Sequence, residues 1–97
     1  MIYFKIHTRD NARVLAACDK ELMGKKLKHN ETEFNVSEHF YRGKEATETE
    51  FKEMLKEHEN INLLGKKTVE IALAENLISE KSIITISGVP HAQIFRV

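Results

Sequence analysis

One cysteine, one proline, no tryptophan and no excess of either charge: the 97-residue sequence is marked first by what it lacks. Each scarcity excludes something. A lone Cys18 cannot close an internal disulfide, so the staples of small secreted domains are missing and a reducing, cytoplasmic setting is expected. Fifteen Lys and Arg balance fifteen Asp and Glu, which removes any global field toward nucleic acid or an anionic membrane. No apolar run approaches the roughly 20 residues that cross a bilayer. The opening MIYFKIHTRD reads as a strand, not as a basic segment followed by an apolar signal core, so no leader is expected. The five histidines never fall at H-x-x-x-H spacing and no C-x-x-C pair exists, so neither a metal site nor a cofactor is expected.

What is present is ordinary globular material. Hydrophobic residues at 41% and charged residues at 31% describe a chain that folds, not a disordered one. At this length one domain is expected over residues 1–97, burying roughly 60–65% of the surface its unfolded chain would expose. IYFKIHT alternates, with Ile2, Phe4 and Ile6 on one face and Tyr3, Lys5 and His7 on the other, the period of a half-buried strand. ARVLAACD, after the turn RDN, is a continuous apolar run suited to a central strand. KELMGKKL predicts a helical turn stopped at Gly24, and EFNVS a third strand with Phe34 and Val36 facing inward.

Two helices follow. Thr47 and Glu50 form a capping box, and behind them Phe51, Met54, Leu55 and His58 make one stripe, predicting a helix near 47–59. KKTVEIALAENL predicts a second helix near 66–77, apolar almost all round. Such a helix is covered on both sides or docks on a partner, and a homodimer through it is one expectation. SIITIS and HAQIFRV then read as two strands joined by SGVPH, where Gly88 permits a bend and Pro90 stiffens it. Strands, then helices, then strands predict an α+β fold: two layers, a mainly antiparallel sheet and two main helices on one face.

The chemistry in the sequence is sparse. Gly-Lys-Lys occurs twice, in LMGKK and LLGKK, so Lys25, Lys26, Lys66 and Lys67 are candidate phosphate contacts; helix capping by the same glycines is the plainer account. The second copy fails as a Walker sequence, since Asn60 stands at its first glycine and Lys67 at its hydroxyl position. Cys18 and His91 form a candidate reactive pair if their strands are neighbours, although nothing local activates the thiol. Gly88, Pro90, His91 and Gln93 form a candidate functional surface, because polar residues beside a rigid connection are freer to serve binding than core positions. Tyr3, Lys5 and His7 offer one aromatic and a cation on a strand face, a partial platform for single-stranded bases.

AACDKELMGKKL, VSEHFYRG, NLLGKKTVEIALAENLI and above all GVPHAQIFRV resemble an archaeal family known as domain of unknown function 424, over nearly the whole chain. The resemblance implies a cytosolic archaeal protein with a compact two-layer fold. It implies no reaction, substrate or cofactor, and a genomic setting near translation factors leans toward ribonucleoprotein work. The leading expectation is therefore a non-catalytic binding or adaptor module with a protein or ribonucleoprotein partner and no small-molecule substrate. An RNA-associated factor using the four lysines, with Tyr3 and His91 near bases, is the second. A small enzyme built on Cys18 and His91 is the third.

Overall fold

The computed structural model describes residues 1–29 and 32–96; the side chains of Arg9, His29 and Phe34, including the expected inward Phe34, lie outside that description. The chain runs β1 (Ile2–Arg9), β2 (Ala12–Asp19), a 3₁₀ turn (Lys20–Leu22), β3 (Lys26–His29), β4 (Thr32–Asn35), α1 (Glu38–Tyr41) and β5 (Lys44–Ala46). It continues with α2 (Glu48–Glu57), β6 (Asn60–Leu64), α3 (Lys66–Ala74), a second 3₁₀ turn (Glu80–Ser82), β7 (Ile84–Ile86) and β8 (Val89–Phe95).

Six strands form the main sheet in the order β5-β1-β2-β6-β8-β7. Every pairing in it is antiparallel except β2 with β6, so the α+β, mainly antiparallel expectation holds. β3 and β4 form a separate two-stranded sheet, so the strand expected at EFNVS does not join the main one.

α2 starts where its sequence dictates. The Thr47 hydroxyl accepts from the Glu50 N–H at 3.1 Å while the Glu50 carboxylate accepts from the Thr47 N–H at 2.9 Å. Its stripe places Phe51 and Leu55 wholly inside, against Ile2, Leu15, Ile61 and Leu63 of the sheet and Val69 and Ala72 of α3. Truncating a buried Phe such as Phe51 to Ala costs about 3–5 kcal/mol, a large share of a small domain's stability. Much of the apolar circumference of α3 is covered from within the chain. Thr68, Val69, Ile71 and Ala72 are buried, and the helix packs against α2 as well as β2, β6 and β8. Among the described residues the exposed large hydrophobics are Met1, Ile6, Ile84 and Phe95, none of them on this helix.

The opposite face of the sheet is only partly covered. α1, the first 3₁₀ turn and the β3–β4 hairpin lie over it and close a second cluster of Ala16, Cys18, Leu22, Leu27, Val36, Tyr41, Leu64 and Ile86. A single side chain stitches the hairpin to the main sheet at its far end. Ser87 Oγ accepts from the Lys28 N–H at 2.6 Å and donates to the Lys28 carbonyl.

Candidate binding pocket on the second sheet face

Strand register decides which residues can meet. Tyr3 lies opposite Cys18, Cys18 opposite Leu64, Leu64 opposite His91 and His91 opposite Ile84, making one row across five strands on the partly covered face. Cys18 and His91 thus share a face but are kept apart by Leu64, two strand spacings or roughly 9–10 Å. Cys18 is fully buried, and its thiol is pushed up to about 12 by desolvation first and by the charges of Asp19 and Glu21 second. A reactive thiolate needs the opposite environment. The expected Cys18–His91 pair is not assembled.

His91 instead enters a concavity of about 290 Å³. Leu64 and His91 come from β6 and β8, Ile84 and Ile86 from the edge strand β7. The hairpin and its exit supply Leu27, Asn35 and Val36, and α1 supplies Tyr41. The lining is largely apolar, with few polar groups. The Tyr41 hydroxyl is held by donation to Asn62 Oδ1 at 2.7 Å, and burial pushes its pKa above the ordinary phenol value. His91 is half-buried, and desolvation lowers its pKa, which favours the neutral ring with one donor and one acceptor. Gln93 follows on the same face and is exposed.

The turn that carries His91 differs from its sequence reading by two residues. The bend sits at Ser87 (φ 51°) and Gly88 (φ 79°), the left-handed pair of a primed hairpin turn, which Gly88 accepts without strain. Pro90 is already inside β8, opposite Thr85. It faces away from the pocket, and its carbonyl accepts from the Gly65 N–H at 2.8 Å. Its missing N–H costs nothing, because β6 has ended beside it.

The second Gly-Lys-Lys is not a vacant anion cradle. Asp19 is 3% exposed and reaches from the end of β2 to the start of α3. There it accepts from the Lys67 N–H at 2.8 Å and the Thr68 N–H at 2.9 Å. Burial raises its pKa above the usual carboxylate value while those two backbone bonds pull the other way. Gly65 is required there, since a Cβ would stand 2.4 Å from the Asp19 carboxyl group and φ is +120°. The position a phosphate would take is filled by the protein's own carboxylate. Lys66 and Lys67 are exposed beside it, with Lys67 3.8 Å from Glu48. The first copy is different: Gly24 (φ +81°) makes a turn, and Lys25 and Lys26 stand exposed on the hairpin with Lys28. Lys26 lies 3.9 Å from Glu33.

The face of β1 expected as a base platform is covered from within. Arg42 lies over Tyr3 at 5.6 Å, Lys5 Nζ donates to the His39 carbonyl at 2.9 Å, and His7 stacks on Phe40 at 4.7 Å. His7 Nε2 also donates to the Phe40 carbonyl at 2.7 Å. Sequence reasoning missed Asp19 as a cap and Tyr41 as a pocket wall. Asp19 had a signal: a helix opening on Gly-Lys-Lys carries no capping side chain of its own, so one must come from elsewhere. Tyr41 had none. Among the described residues no three His, Cys, Asp or Glu side chains converge as a metal site, and no helix is long and apolar enough to cross a membrane.

With the site in view, comparison with known proteins decides the family. The family described as "Protein of unknown function (DUF424)" matches residues 6–97. The chain belongs to the DUF424 family. A solved structure described as an uncharacterized conserved protein from Methanopyrus kandleri shares this DUF424 fold with a TM-score of 0.79. It is 30% identical over 99% of this chain and 94% of its own. No curated protein matches.

Proposed function

We propose that this DUF424 protein is a non-catalytic cytoplasmic binding module, and that its partner places an apolar group in the pocket beside His91. One observation carries the reading. Residues far apart in the chain, Leu27, Asn35 and Val36, Tyr41, Leu64, and Ile84, Ile86 and His91, converge on one largely apolar concavity in which burial favours the neutral form of both the His91 ring and the Tyr41 phenol. Within it His91 of the GVPHAQ segment supplies a polar contact, and Ile84 and Ile86 of β7 supply apolar ones. Cys18 and Asp19, the other chemically suggestive groups, are both internal.

Affinity capture from an archaeal lysate tests this. Ile84 is 54% exposed, so Ile84→Glu alters the pocket rim without forcing a charge into the core. A partner held by the wild-type chain is expected to be lost with both Ile84→Glu and His91→Ala while circular dichroism is unchanged. Equal retention by all three, or a monomer by light scattering that retains nothing, refutes the reading.

A second reading has one observation in its favour. Lys25, Lys26 and Lys28 stand exposed along the hairpin that walls the pocket, an arrangement that suits phosphate on a passing RNA strand. Binding to bulk RNA that weakens steeply with salt and with replacement of those lysines supports it; absence of binding at low salt ends it.

A further inference from the structure

Two backbone edges border the pocket, and among the described residues neither has a strand partner on that side. β7 ends the main sheet, and β3 pairs with β4 on its other edge. In β7 the turn at 87–88 makes Ile86 and Val89 the closing bonded pair, so Ile84 with His91 is bonded and Thr85 with Pro90 is not. Thr85 therefore turns its N–H and carbonyl outward. In β3 the Val36 N–H donates to the Lys25 carbonyl at 2.7 Å, which sets 25 with 36 as a bonded pair and leaves Lys26 and Lys28 facing away from β4. Ser87 Oγ satisfies both outward groups of Lys28, in the manner of a neighbouring strand. Among the described residues no hydrogen bond reaches the outward groups of Lys26 or Thr85.

We propose that the pocket binds an extended acidic peptide, which adds to the free edge of β7 as a strand. This rests on the reading of the pocket as the contact site. Unpaired backbone groups call for another backbone, the signature of strand addition. Side chains then alternate. One set drops among Leu27, Ile84 and Ile86, while the other stays on the solvent side, where Lys26 and Lys28 flank Leu27 along β3. Opposite charges across paired strands are favourable and like charges are not, so the outer set is acidic.

The same charges disfavour the other occupants. A second copy pairing β7 to β7 about a two-fold axis would bring the Lys25, Lys26 and Lys28 hairpins toward one another. A nucleic-acid strand needs open aromatic faces, yet Tyr41 is 8% exposed and Tyr3 and His7 are already covered.

A fluorescein-labelled heptapeptide of alternating glutamate and valine, titrated into the full chain and followed by anisotropy, provides the test. Binding is expected, weakening about five- to tenfold on N-methylation of a central glutamate if the strand adds antiparallel to β7, or of the central valine if it adds parallel, the loss a net hydrogen bond predicts. Thr85→Pro removes the edge donor, leaves the lining side chains in place and sits where an edge strand tolerates proline; it is expected to lose binding with an unchanged circular dichroism spectrum. A lysine–valine peptide is expected not to bind. Binding indifferent to N-methylation and to Thr85→Pro overturns strand addition. Failure of the acidic peptide while lysate capture remains sensitive to Ile84→Glu overturns the peptide and leaves the module. A uridine dodecamer that binds where the peptide does not overturns it in favour of RNA.

Discussion

Asp19 is the residue whose removal should be felt furthest from its own position. Its carboxylate bridges β2 to α3, bonding two N–H groups that have no partner within the helix, one of them on the fully buried Thr68. Asp19→Ala leaves both donors without their protein partner, the Thr68 N–H in a buried position. Loss of an ordinary cap costs about 0.5–2 kcal/mol, and bonds to a charged group run about 1.5–3 kcal/mol each, so about 3 kcal/mol is expected here. For a domain of this size that is a fall in Tm of roughly 12–24 °C. Asp19→Asn keeps one acceptor but sets its amide hydrogens against a backbone N–H, and is expected to fall between wild type and Asp19→Ala. The alanine variant should also open the anion position that Lys66 and Lys67 flank, so added sulfate is expected to raise its Tm more than that of the wild type. Thermal and urea unfolding of the three proteins with and without sulfate is the assay. If Asp19→Ala unfolds within about 0.5 kcal/mol of wild type, the carboxylate is not holding the helix.

Three further outcomes follow from the same structure. Cys18, buried and with its thiol pushed up to about 12, is expected to resist iodoacetamide at pH 8 in the folded protein and to react rapidly in urea; fast labelling of the native chain would revive the nucleophile. For His91 the folded pKa lies below the unfolded value, so its contribution to stability is full above about pH 6.5 and is lost as pH falls toward and through the folded pKa. His91→Gln is expected to flatten that acid limb in urea melts, and an unaltered limb would show that the ring titrates as it does in an unfolded chain. Thr47→Ala opens the capping box of α2 and is expected to cost about 1 kcal/mol by urea unfolding, with no effect if the helix begins elsewhere.

How much of this was legible depended on whether the cause was local. The capping box at Thr47 and Glu50, the apolar stripe behind it and the alternation of β1 are short-range patterns, and the helix and the strand both form where their spacing put them, although Ile6 is exposed and α1 covers the Tyr3, Lys5 and His7 face. α3 ends at Ala74, earlier than its apolar pattern suggested, because Asn76 takes a positive φ and the N–H groups of Asn76 and Leu77 bond back to Leu73 and Ala72. The site was half legible. His91, Gln93 and Gly88 were marked by their turn, yet nothing nearby in sequence says that Leu27 and Tyr41 complete the wall. The Gly-Lys-Lys copies misled for a related reason. Spacing shows free N–H groups at a helix start but not that a carboxylate 48 residues away has already taken them. The Cys18–His91 pairing failed on strand order: register puts both in one row, but β6 lies between their strands.

The parallel pairing of β2 with β6 also sets the order in which the molecule can assemble. β1 and β2 meet through a tight turn and can zip within microseconds, whereas Leu15 finds Ile61 only after the whole intervening stretch, hairpin and both helical segments included, has looped back. The middle of the sheet is therefore its most distant handshake, and closing that long loop is the slow entropic toll on refolding. A circular permutant that opened the chain between β5 and α2 and joined the old ends would rearrange those distances, and its refolding rate would report how far the central seam governs the barrier.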